Sequence, residues 1–115
     1  MFVGVLRLSF HLPGARSLKD KRQVVRSFRD RVRGKLDVSI AEVEHMDLHR
    51  RATFGVAVVS NDAAVCDELL SVVASMASNV RDAVLLDRAL EIITVGELGR
   101  DQPGAPLARD DEDEE

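Results

Sequence analysis

Arg22, Arg26, Arg29 and Arg33 recur at intervals of four, three and four residues. That spacing stacks their side chains along one side of a helix. Arg16 and Lys19 extend the line toward the preceding loop, and Lys21 and Arg31 flank it. A guanidinium is always charged and presents a planar fork of donors that suits phosphate. A row of them along roughly 20 Å of helix can meet successive phosphates and release their counterions. Duplex RNA is read largely through its shape, its phosphates and its 2′-hydroxyls, so such a row needs no base-specific partner. Only Asp20 and Asp30 lie among these cations, too few to neutralise them locally. Arg16, Lys19, Lys21, Arg22, Arg26, Arg29, Arg31 and Arg33 are therefore the candidate contacts to structured RNA. The competing reading is a solvated face that pairs with acidic groups elsewhere or docks on an acidic protein.

Other segments carry weaker chemistry. "EVEHMDLH" contains Glu42, Glu44, His45, Asp47 and His49, and alternate residues of a strand share a face, so Glu42 and Glu44 could converge. Zinc needs three or four ligands converging tetrahedrally, and no such motif closes here, so the segment reads as a polar strand exit. His11 reads as a surface residue. "LPGARS" precedes a helix start, where free N–H groups could cradle a phosphate beside Arg16. The glycine-rich loop and partner asparagine expected of a phosphohydrolase on this topology are not visible, so catalysis is not expected there. Cys66 has no histidine near it in sequence and reads as a buried structural thiol. No catalytic residue, metal or cofactor is expected.

These residues must be positioned by a small set of elements. Residues 2–12 alternate, with Phe2, Leu6, Leu8, Phe10 and Leu12 on even positions, the period of a half-buried strand. "LPGA" interrupts it, and Ser17 then serves as an N-cap with Asp20 three residues on. Leu18, Val25, Phe28 and Val32 form an apolar stripe on the basic helix, which Gly34 is expected to end. Strands follow at 36–44 and 51–60, with Phe54 in the core. Asn61 or Asp62 caps a second helix whose stripe is read as Val65, Leu69, Val72 and Met76. Residues 83–95 contain a last strand around 90–95, with a short helix as the alternative. The order β-α-β-β-α-β is the split pattern of ferredoxin-like α+β sandwiches, in which two helices cover one face of a four-stranded antiparallel sheet. The strands carry apolar residues on both parities, as in Val3 and Val5 beside Leu6 and Leu8, so a homodimer through the open sheet face is expected. RNA-recognition sheets carry stacking aromatics. With no Trp or Tyr and four Phe in the chain, base reading by such stacking is not expected.

The 115 residues allow one domain, expected over 1–96, followed by a disordered acidic tail at 97–115. The net charge is −4, yet residues 1–36 carry ten Lys/Arg against two acids, and the remaining residues carry six against eighteen. Six of those acids form the terminal "DDEDEE". Such asymmetry points to an anionic partner for the basic end. No apolar run approaches the length of a membrane span, and the N-terminus lacks the features of a signal peptide. One cysteine allows no internal disulfide, so a cytoplasmic location is expected.

The strand "GVLRL", the loop and helix start "PGARSLKDKR", the strand "VSIAEV" and the segment "DLHRRATFGVAVVSND" together resemble the YlxP-like family of small bacterial proteins. The resemblance covers residues 2 to about 95 and leaves out the tail. It implies a ferredoxin-like fold and a gene often found among translation and ribosome-maturation genes, and it implies no catalytic residues. Relatives commonly carry an aromatic and a glutamine after "DL", where this chain has His49 and Arg50. The resulting expectation is a non-enzymatic RNA- or ribosome-associated protein assisting small-subunit assembly or translation, its partner a structured RNA or a ribosomal particle. A protein-interaction module without an RNA role is the alternative.

Overall fold

The computed structural model describes residues 1–96; the segment read as a tail, 97–115, lies outside the described residues. The elements are β1 (Phe2–His11), α1 (Leu18–Lys35), β2 (Ser39–Glu44), β3 (Arg51–Ser60), α2 (Ala63–Ala77) and β4 (Val84–Thr94). They form one antiparallel sheet of order β2-β3-β1-β4. α1 packs on β2, and α2 packs across β1, β3 and β4. This is the ferredoxin-like sandwich expected from the element order.

The even positions of β1 and β3 face the helices. Leu6 lies opposite Val56 and Leu8 opposite Phe54, and all four are buried beneath Val25, Phe28 and Val32 of α1 and Leu70 and Val73 of α2. Phe10, Phe28 and Phe54 meet edge to face, with ring centroids 5.1–5.8 Å apart, a favoured aromatic geometry. Gly4 occupies a core-facing position where a Cβ would come within 2.8 Å of Leu70 Cδ1 and 3.1 Å of Cys66 Cβ. Its missing side chain is what lets α2 sit this close to β1.

Three readings of the sequence change. Gly34 lies inside α1, which runs on to Lys35 before Leu36 caps it. On α2, capped by Asp62, the buried residues are Cys66, Leu70, Val73, Ala74 and Ala77, while Val65 and Val72 are exposed. The helix carries two adjoining apolar stripes; the one holding Cys66 and two alanines approaches the sheet more closely, and the stripe expected from sequence is displaced to its flank. The last strand spans all of Val84–Thr94, which discards the helical alternative. Cys66 is fully buried and unpaired, as its sequence context indicated.

Candidate nucleic-acid interface

The buried line of α1 is Lys21, Val25, Phe28 and Val32. Arg22, Arg26, Arg29 and Arg33 each follow one of these positions, so the row stands about 100° around the helix from the core. It spans about 16 Å of axis from Arg22 to Arg33 and runs on the side of β2, where Arg33 Nη2 donates to the Ile40 carbonyl at 3.1 Å. Arg16, Lys19, Arg22 and Arg26 are exposed. Arg29 is half-buried, with Nε 3.5 Å from Asp30 Oδ1. Among the described residues, that is the one carboxylate ion-paired with the row. Arg31 is exposed on the opposite flank, in a groove it shares with Gln23, Ser27, Asn79 and Arg81. It does not join the row.

Lys21 is a correction. It is only 2% exposed and is unavailable to any nucleic acid. Its ammonium donates to Glu42 Oε2 and the His45 carbonyl, both at 2.8 Å, and to the carbonyls of Arg51 at 3.2 Å and Met46 at 3.3 Å. A buried ammonium is tolerated only when its charge and donors are met in this way. Lys21 therefore clamps the loop between β2 and β3 to the underside of α1. A signal for this was present in the sequence: the apolar stripe jumps seven residues from Leu18 to Val25, and Lys21 fills the vacant place.

The helix start is also corrected. Asp20 Oδ2 accepts from the Arg16 N–H at 2.9 Å, and Ser17 Oγ accepts from the Asp20 N–H at 3.2 Å. This reciprocal cap uses donors that a phosphate would need and places a carboxylate at the site. The cap thus takes the Arg16 and Asp20 N–H groups within the chain, beside the exposed Arg16 side chain.

Glu42 and Glu44 do not converge. A bulge at Val43 shifts the β2–β3 register, so Glu42 lies opposite Phe54 and Glu44 opposite Thr53, on opposite faces. Glu42 turns to Lys21. Glu44 turns to the open face, where Arg7 Nη2 meets its Oε1 at 2.7 Å. Arg7 lies opposite Gly55 in the register, and the space a side chain would take at Gly55 is filled by Val43, whose Cγ1 would be 3.1 Å from a Cβ there. The hydrogen bond and charge of Arg7 hold the Glu44 carboxyl below the usual carboxylate range. Arg7 Nη1 also lies 3.8 Å from Asp87 of β4, so the centre of the open face is internally paired. Among the described residues, no group of three or more His, Cys, Asp or Glu is placed to hold a metal.

One end of the open face is polar. Thr53 and Ser9 are buried with their hydroxyls 3.3 Å apart, His45 Nδ1 lies 2.7 Å from Thr53 Oγ1, and Arg51 Nη2 donates to Ser9 Oγ at 3.1 Å. The other end is apolar, with Val3 opposite both Val59 and Ile93. A shallow depression of about 570 Å³ beside it is lined by Val5, Val38, Ala41, Val43, Gly55 and Ala57 among others. Sequence reasoning missed Arg50, whose Nε donates to the Ala15 carbonyl at 3.4 Å and so stands next to Arg16. Nothing in the local pattern "HRR" indicates that approach.

Fold and surface together define a small ferredoxin-like α+β domain with an arginine row along its first helix. The chain belongs to the family described as "Protein of unknown function (DUF503)", whose profile matches residues 3–89. It is 45% identical over 47 residues to "Uncharacterized protein YlxP" of Bacillus subtilis (strain 168), covering 41% of this chain and 51% of that protein. The match thus spans about half the length of that relative. The solved structures it is similar to include the de novo designed protein LFR1 1 with ferredoxin fold, at TM-score 0.53 and 10% identity, covering 100% of this chain and 99% of the other. A C-terminal segment of the alpha subunit of aIF2 from Pyrococcus abyssi aligns at TM-score 0.48 and 18% identity, over 73% of this chain and 49% of that one. The first of these likenesses shows the fold alone, and the second is too slight to bear on function.

Proposed function

We propose that this protein is a non-enzymatic, cytoplasmic RNA-associated protein that assists small-subunit assembly or translation by laying the arginine row of α1 along the phosphates of structured RNA. The observation that supports this reading is the row itself: Arg22, Arg26, Arg29 and Arg33 on one flank, continued by Lys19 and Arg16, with Asp30 the one carboxylate ion-paired with it among the described residues. The helix that carries the row is capped at both ends, and Arg33 is tied to β2. Among the described residues, no helix is long and apolar enough to cross a membrane.

The test is binding to small-subunit particles and to structured RNA across a salt series, with Arg22→Ala/Arg26→Ala/Arg29→Ala beside the parent. Each phosphate contact contributes about 0.9 to the slope of log affinity against log salt on duplex DNA. Loss of three contacts should therefore flatten that slope by up to about 3. Unchanged affinity and slope in the variant would refute the role of the row.

The open face supports self-association in the same reading. Val59 is 65% exposed and Ile93 42%, beside Val3, an apolar patch four residues along β1 from the Arg7 ion pairs. A stable dimer would bury about 800 Å² per subunit. Val59→Asp should turn a dimer into a monomer in sedimentation analysis, and a monomeric parent would refute it. The alternative is a dimeric module whose basic helix docks an acidic protein. Nucleic acid co-purifying with the protein would raise its 260/280 nm absorbance ratio and exclude that alternative, and the chain has no Trp or Tyr to obscure the reading.

A further inference from the structure

The loop between β2 and β3, residues 45–50, buries no apolar side chain, yet it is fixed at every turn. Lys21 holds the carbonyls of His45, Met46 and Arg51. The Leu48 N–H donates to the His45 carbonyl at 3.1 Å, and the Leu12 N–H donates to the Arg50 carbonyl at 2.9 Å. His45 takes a left-handed φ of 63° with its ring against Thr53. Burial of an ammonium is costly, and here its return is a rigid loop whose free groups all face solvent. Two of those groups are large and apolar: Met46 is 55% exposed and Leu48 51%.

We infer that this loop is a second contact surface for RNA, and that the RNA it fits is a helix adjoining unpaired nucleotides. The inference rests on the reading of α1 as a phosphate-contacting row. Arg50, beside Arg16, adds a guanidinium to the end of that row from outside the helix. Beyond it the loop changes character. Asp47 repels phosphate at the tip, and Met46 and Leu48 offer apolar surface. A continuous duplex presents phosphates and hydroxyls, which gain nothing there. Unstacked bases of a bulge or loop present apolar faces, and Met and Leu are among the side chains that nucleic-acid-binding proteins place against unstacked base steps. The duplex arm thus follows α1, and the unpaired bases meet the loop.

The experiment measures fluorescence anisotropy with two labelled RNAs, a continuous duplex and the same stem carrying a three-nucleotide bulge. The parent protein is compared with Met46→Ser/Leu48→Ser, Arg50→Ala and Arg22→Ala/Arg26→Ala/Arg29→Ala. The parent should prefer the bulged RNA by about tenfold, a ratio worth about 1.4 kcal/mol. The Met46/Leu48 variant should lose that preference while holding the duplex as the parent does. Arg50→Ala should weaken both RNAs alike. The triple arginine variant should weaken both while keeping the ratio. A parent that binds both RNAs equally, or a Met46/Leu48 variant that keeps the preference, overturns the inference and leaves the reading of α1 intact. A parent that binds neither RNA overturns both.

Discussion

Replacing Lys21 by methionine removes the ammonium and keeps a flexible stem of similar length in the same space. Four acceptors then lose their donor: Glu42 Oε2 and the carbonyls of His45, Met46 and Arg51. The Glu42 side chain is only 14% exposed, so water compensates it poorly. Removing one partner of such a buried pair costs about 3–5 kcal/mol. For a domain of this size, each kcal/mol lowers Tm by about 4–8 °C, so the expected loss is roughly 12–40 °C. The assay is thermal unfolding followed by far-ultraviolet circular dichroism, on Lys21→Met, Glu42→Leu and the double variant. Glu42→Leu strands the ammonium in turn and should also destabilise. The double variant removes both charges and should be more stable than the sum of the single losses predicts, because no uncompensated ion remains. The carbonyls of His45, Met46 and Arg51 still lack their donor there, so recovery should be partial. Should Lys21→Met lower Tm by less than about 4 °C, or should the two single effects simply add, the ammonium is not a clamp and the reasoning fails.

Gly4→Ala should destabilise by about 1–3 kcal/mol, read from urea unfolding, since its Cβ would meet Leu70 Cδ1 at 2.8 Å and Cys66 Cβ at 3.1 Å. Glu44 titrates below its usual range in the folded chain because of Arg7. Its contribution is complete above the unfolded carboxylate pKa of about 4.3 and is lost as pH falls through the lower folded value. Glu44→Gln should therefore narrow its stability gap to the parent as pH drops below about 4.3, and a gap that stays constant from pH 6 to pH 2.5 would count against the Arg7 contact. Truncation after Gly96 removes eight acidic and two basic residues. If the acidic segment competes for the arginine row, truncation should tighten RNA binding at low salt, and equal affinities would reject that competition.

Sequence and tertiary structure divided the work according to how local each cause is. The strand periods of β1 and β3, the Ser17 cap and the arginine spacing depend on neighbours a few residues away, and all were legible in the chain. The element order carried the topology as well, because short connections leave a β-α-β-β-α-β chain few ways to cover one sheet face. The α2 stripe was not legible. Its residues Leu69 and Leu70, or Val72 and Val73, are equally apolar, and only the close approach of the sheet at Gly4 selects the line through Cys66 and Ala77. Nor did spacing show that Glu42 and Glu44 part company, since a bulge is set by pairing with a distant strand.

Lys21 is the sharpest case. By type it belongs with the other cations of α1, and by position it fills the gap in the apolar stripe. Position prevailed because Glu42, two loop carbonyls and the first carbonyl of β3, twenty-one to thirty residues away in the chain, converge on its ammonium. The sequence alone determined that α1 bears a basic row. Only the tertiary structure decided which cations remain outside to use it, because burial depends on what the rest of the chain packs against each side chain.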